Sequence, residues 1–170
     1  MDGMSTHKTP RIDLVHHAGA PVAAMQRVKE RIRLDPRLRL LVKLRASQIN
    51  GCAYCLDMHW PHARAEGESE LRLSQLAAWH ESPVFDERER AALALTEAVT
   101  HVSATHVPDD VWEEAARHFD EKELAHLVFT IGAINLWNRV AVAARSIPAS
   151  FADGAGAVAS HVEQGEPAGR

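Results

Sequence analysis

The sequence predicts an all-α protein, a single domain of about six to eight helices. Apolar residues recur at spacings of three and four along most of the chain, and no stretch shows the strict alternation of a half-buried strand. Between the periodic runs stand Asp, Ser, Gly and Pro, the residues that cap and break helices. At 170 residues, 46% of them apolar, the chain is long enough to bury one adequate core. A net charge of −4 argues against a broad basic field, so no nucleic-acid partner is expected.

Residues 1–18 read as a flexible or lightly docked N-terminal arm, with His16 and His17 as surface residues. A helical domain is expected over 19–148. The composition then turns to Ala, Gly, Ser and Glu, and 149–170 read as a disordered tail. From Pro21, which suits a first turn, Val22, Met25, Val28 and Ile32 mark the first helix. Asp35 and Pro36 restart the chain as N-cap and first helical residue, and Leu38, Leu41, Val42, Leu44 and Ile49 carry the second helix to Asn50. Asn50-Gly51 supplies a turn, and a third helix is expected to begin near Gly51. Pro61 removes the hydrogen bond to the Asp57 carbonyl, so that helix is expected to bend after His59 or to give way to a second segment.

Gly67 ends this element, and Ser69 caps a helix bearing Leu71, Leu73, Leu76 and Trp79 that Ser82-Pro83 breaks. Asp86-Glu87 opens a longer helix with acidic residues at its positive end. Its stripe holds Leu93, Glu97 and Thr100. Glu97, among apolar neighbours, needs a partner, either near the thiols or in a structural ion pair. Val107-Pro108-Asp109 begins a short helix through Phe119. Asp120 and Glu123 then form a capping box for the last long helix. On its seam Asn135 and Asn138 must bond to neighbouring backbone or line a pocket.

The longest uncharged run, Ala125–Asn138, falls short of membrane length, and Met1–Asp13 has no apolar signal region. A cytoplasmic protein without membrane contact is therefore expected, and in that compartment two cysteines more often work than staple. Apolar seams on nearly every helix, with few aromatics, predict faces buried between copies of the chain.

The functional signal lies in Cys52, Cys55 and His59, a C-x-x-C-x-x-x-H spacing that includes both cysteines. On one helix the three share a stripe, about 4.5 Å and then about 6 Å apart along the axis. A thiol pair at this spacing can close a disulfide. The histidine one turn on can take a proton from Cys55 or stabilise its thiolate, and the helix start favours a thiolate at the first cysteine. Two other readings compete. Zinc on Cys52, Cys55, His59 and His62 fails, because about 15 Å of helix separates the outer pair while zinc ligands lie at about 2.0–2.3 Å. Two inert buried cysteines remain the bland alternative.

The run Leu41-Val-Lys-Leu-Arg-Ala-Ser-Gln-Ile-Asn-Gly-Cys-Ala-Tyr-Cys-Leu-Asp-Met-His59 resembles the signature of the carboxymuconolactone decarboxylase superfamily, in its AhpD-like alkylhydroperoxidase branch. The likeness continues through Glu87–Glu97 and Ala133–Arg139, over roughly residues 20–148. The true decarboxylases lack the cysteine pair, which argues against that activity. The resemblance implies a compact helical bundle and a thiol-dependent hydroperoxidase of peroxiredoxin type. Cys55 would be the peroxidatic thiolate, Cys52 the resolving cysteine and His59 part of the proton relay. It implies no bound cofactor or metal, a lipoyl-type or thioredoxin-like dithiol protein as electron donor, and a trimer or hexamer.

One position departs from the family pattern. A relay glutamate twelve residues before the first cysteine is usual, and here that residue is Leu40. Either His59 alone ionises Cys55, or Glu97 supplies the carboxylate, or the protein mainly exchanges disulfides or senses redox state. A non-catalytic helical binding protein is the remaining alternative. Trp60 and Pro61 are expected to reshape the pocket mouth.

Overall fold

The computed structural model describes residues 9–151. Among them eight α-helices and no strand are found: α1 (Leu14–Arg31), α2 (Pro36–Ile49), α3 (Ala53–Ala65), α4 (Glu70–Gln75), α5 (Glu87–Thr100), α6 (Val102–Thr105), α7 (Asp109–His118) and α8 (Glu121–Ala144). The all-α single domain is thus as the periodicity predicts. The first eight residues of the arm, and the tail beyond Phe151, lie outside the described residues.

The caps fall where the sequence places them. Asp35 accepts the Leu38 N–H at 2.9 Å, Ser69 accepts that of Arg72 at 3.2 Å, and Asp86–Glu89 and Asp120–Glu123 each form a reciprocal capping box. The N-terminal boundary differs. Asp13 caps a helix that already begins at Leu14, and the backbone leaves helical geometry at Ala18, so Pro21 stands in the first turn after a kink. The last arm residues are docked: the Arg11 N–H donates to the Ala144 carbonyl at 2.8 Å.

Helix α2 is the centre of the bundle and packs against α3, α5 and α8. Its buried residues (Leu38, Leu40, Leu41, Val42, Lys43, Leu44, Ala46 and Ser47) leave almost no apolar-to-polar division around it, as a helix enclosed on most sides requires. Leu38, Val42, Leu95, Phe119, Leu127 and Ile131 join α2, α5, α7 and α8 in one core. Leu41, Leu44, Leu73, Leu76, Trp79 and Leu93 form a second beneath α3 and α4. By length and composition α8 is apolar enough to cross a membrane, a property the shorter uncharged run did not announce. Here Leu124, Leu127, Ile131 and Ile134 on one side of it are buried in the bundle.

Of the two outcomes expected at Pro61, the start of a second helical segment does not occur. Helix α3 runs unbroken from Ala53 to Ala65 with Pro61 inside it. An interior proline costs about 3 kcal/mol, and the helix is held on both sides of it, by Trp60 packed against the second core and by fully buried Ala63.

Candidate active site

The site begins where α2 ends. The Asn50 N–H donates to the Ala46 carbonyl, Gly51 takes φ +64°, and the Cys52 N–H returns to the Ser47 carbonyl at 3.0 Å. This is a Schellman-type closure, and its left-handed residue favours glycine. The chain leaves it extended at Cys52, the N-cap of α3, whose Sγ accepts the Cys55 N–H at 3.3 Å. A sulfur therefore does what Ser or Asp usually does at a helix start. The helix begins at Ala53, near Gly51 as expected, and the cap brings the two thiols together.

Both cysteines are free and buried. The Cys52 pKa is lowered to about 7, chiefly because the Cys55 thiol hydrogen-bonds to it. Burial opposes this, while the Cys55 N–H and Asn138 add to it. The Cys55 pKa is raised by the same contact, by burial and by the Cys52 charge. The pair thus titrates as a unit in which one proton is shared and the helix start holds the charge.

Cys55 and His59 line a cavity of about 270 Å³ between α1, α2, α3 and α8, whose walls include Val22, Ile32, Met58, Ile134 and Trp137. Cys52 is not among the lining residues; it is 1% exposed, packed with Ala46, Cys55 and Ile134. Charge and access are therefore divided between the two sulfurs. His59 is buried, and its Nδ1 has no hydrogen-bond partner among the described residues. Burial first, then Lys43, Lys29, His62 and Arg39, holds its pKa well below 6.5. It is a neutral imidazole near pH 7. It can take or relay a proton but cannot stabilise a thiolate as an imidazolium.

Glu97 is not at the site's histidine. Its carboxylate accepts from Trp79 Nε1 at 2.7 Å and Arg45 Nε at 2.8 Å, with His80 Nε2 at 3.3 Å. Of the two partners the sequence left open, the structural ion pair is the one formed. Leu40 is buried with Leu41, Leu44, Ala63 and Leu73 in the second core. The residues α2 sends to the cavity are instead Arg39 and Lys43, one turn apart. Their signal in the sequence was two basic residues at i and i+4 among the leucines of α2, which motif spacing alone passes over. His62 is half-buried, its ring 6.1 Å from that of His59.

Of the two roles expected for the asparagines of α8, only backbone bonding is found, at Asn135; neither side chain lines the cavity, and both also bond to side chains of other helices. Asn135 donates to the Ile131 carbonyl and to Thr100 Oγ1, each at 3.0 Å. Asn138, fully buried, donates to Ser47 Oγ at 3.0 Å and accepts from Asn50 Nδ2 at 2.9 Å. This network holds the α2–α3 turn, and with it the thiols, onto α8. Among the described residues no group of three His, Cys, Asp or Glu side chains is placed to hold a metal ion.

The sequence pattern of the carboxymuconolactone decarboxylase family matches residues 18–98. The chain is 40% identical to the uncharacterized protein YdfG of Bacillus subtilis over 119 residues, 70% of this chain and 81% of that one. It is 36% identical to the uncharacterized protein YnjA of Escherichia coli over 108 residues, 64% of this chain and 59% of that one. Among solved structures, a protein of unknown function from Agrobacterium tumefaciens, described as a candidate antioxidant defence protein AhpD, is 41% identical. It superposes with a TM-score of 0.78 over 82% of this chain and 98% of that one. An AhpD-core, peroxidase-related protein from Ralstonia eutropha shares the fold at 20% identity, TM-score 0.71, over 85% of this chain and 80% of that one.

Proposed function

The chain belongs to the carboxymuconolactone decarboxylase family, in its AhpD-like branch, and from that premise we propose that it is a thiol-dependent hydroperoxidase working through Cys52 and Cys55. The family supports a peroxidase-like, antioxidant role. The observation that supports the finer reading is the placement of the two sulfurs: Cys55 meets the cavity, while Cys52, its pKa lowered to about 7, lies beside it as a base for the proton that Cys55 would lose.

In this reading the S–H proton of Cys55 passes to the Cys52 thiolate. The Cys55 thiolate attacks the terminal oxygen of ROOH, the O–O bond breaks, and Cys55 becomes a sulfenic acid as RO⁻ leaves and is protonated to the alcohol. Cys52, deprotonated again, attacks the sulfenic sulfur and expels hydroxide, which takes a proton to become water. The balance is two thiols and ROOH to one disulfide, ROH and water. An external dithiol protein, lipoyl-type or thioredoxin-like, then reduces the disulfide by exchange. Neutral His59 relays protons to the departing oxygens. Phe129 and Leu136, exposed on α8, support assembly into a trimer or hexamer.

Disulfide exchange without peroxide turnover is the second reading. It is favoured by Leu40 in the core and by cations rather than a carboxylate around His59. One assay separates the two. Reduced protein is mixed with cumene hydroperoxide, and peroxide loss and free thiols are followed with and without dihydrolipoamide. Loss of one peroxide and two thiols per chain, made catalytic by the dithiol, is expected. Unchanged peroxide with thiols that still exchange with disulfides would replace the first reading by the second.

A further inference from the structure

Cys52 is 1% exposed, and a thiolate there needs hydrogen-bond donors in place of water. The N–H and the thiol of Cys55 are two of them. A third comes from α8. Ile134 and Ala141 pack against Cys52 and Cys55, and Asn138, fully buried, stands between them, one turn from each.

The partners of the Asn138 amide fix which end meets the sulfurs. Asn135 Nδ2 donates to the Ile131 carbonyl, which can only accept, so Asn135 Oδ1 is the atom turned to Asn50. Asn50 Nδ2 therefore donates, at 2.9 Å to Asn135 Oδ1 and at 2.9 Å to Asn138 Oδ1. With its oxygen engaged there, Asn138 turns its Nδ2 the other way. One N–H goes to Ser47 Oγ, whose own proton is given to the Lys43 carbonyl at 2.7 Å. The second faces the cysteines. After the contact between the two thiols, and burial, Asn138 acts on both sulfurs in the direction that lowers the pKa.

We propose that Asn138 is a third functional residue of the thiol site: an amide N–H, aimed through Asn135 and Asn50, that donates to the sulfur pair and lets it hold a negative charge inside the bundle. The inference deepens the hydroperoxidase reading and rests on it only for the use of that charge, which is itself a property of the reduced pair.

The test compares two variants of the reduced full chain. Asn138→Leu keeps the volume and removes the donor. Thr100→Val removes the 3.0 Å bond from Asn135 and so loosens the same clamp without touching the sulfurs. Both leave in place the charged and titratable groups of the surrounding elements: Asp13 and Lys29 at α1, Arg39 and Lys43 on α2, Tyr54 and His59 on α3, and Arg139 on α8. Both should unfold at lower urea. Only Asn138→Leu should raise the pH midpoint of iodoacetamide modification at Cys55, by about one unit, with the rate at pH 7 down about three- to tenfold. If Asn138→Leu fails to fold, nuclear magnetic resonance of the unmodified chain decides. The Asn138 side-chain N–H signals should move through a midpoint near pH 7 with the thiols, and lose that midpoint in Cys52→Ser.

An unmoved midpoint in Asn138→Leu, or one raised as much in Thr100→Val, overturns the proposal. So does an Asn138 amide indifferent to the thiol titration. Cumene hydroperoxide turnover with an unmoved midpoint in Asn138→Leu overturns it and leaves the hydroperoxidase reading standing. A raised midpoint in a chain that consumes no peroxide supports the role of Asn138 and removes the peroxidase reading instead.

Discussion

The backbone N–H of Cys55 donates to the sulfur of Cys52 at 3.3 Å. That contact places the first cysteine at the positive end of α3 and adds to the Cys55 thiol in lowering its pKa, although the cavity opens on the second. Of the two effects read from the sequence, the helix start acts at Cys52 as expected, whereas His59, held neutral by burial, adds no positive charge beside Cys55. Helix-start N–H groups and a neighbouring S–H outweigh an imidazole that burial keeps uncharged.

The thiol titration follows directly. Iodoacetamide should modify Cys55, the sulfur on the cavity, with a rate that rises through a midpoint near pH 7 as the pair loses its first proton. Cys52→Ser removes the acceptor and should move the midpoint to about 8.5 or above, the range of an ordinary or buried cysteine. His59→Ala should leave it in place, since a neutral ring contributes no charge. Peptide mapping with a pH series reads all three. A midpoint that follows His59 rather than Cys52 would reverse the assignment.

Glu97 should behave as a structural residue. Burial raises its pKa, but hydrogen bonds from Trp79, Arg45 and His80 outweigh this and hold it below 4.5. A depressed carboxylate adds stability above its unfolded pKa that is lost as pH falls through the folded one, so acid unfolding should begin below pH 4.5. Glu97→Gln should cost about 1–3 kcal/mol in urea unfolding at pH 7. The loss should shrink toward pH 3, and the thiol midpoint should stay near pH 7. A shifted thiol profile with unchanged stability would return Glu97 to the proton relay.

Leu40→Glu tests the departure from the family pattern. Leu40 is 5% exposed among Leu41, Leu44, Leu73 and Ala63. A carboxylate there would be buried without a partner, at a cost of several kcal/mol or a pKa pushed upward. The variant should melt lower by about 10 °C or more and gain no peroxidase rate. A folded variant with faster turnover would mean that the core opens to let the introduced carboxylate reach His59.

What the sequence determined by itself was local. Helix period set Cys55 and His59 on one stripe with Cys52 at the cap before them, and the Asp35, Ser69, Asp86 and Asp120 caps marked four helix starts, because capping bonds and helix register join residues three or four apart. The all-α fold follows from the same periodicity. What surrounds the stripe was decided by tertiary packing. Asn138 reaches Ser47 across 91 positions, and Glu97 reaches Arg45 across 52. Lys29 shares a cavity with Cys55 because α1 packs on α8 and borders the same cavity as α3. Pro61 stays inside a helix because packing on either side outweighs the bond it removes. Burial and charge at a site are sums over neighbours from the whole chain, and a spacing rule sees only those on its own helix.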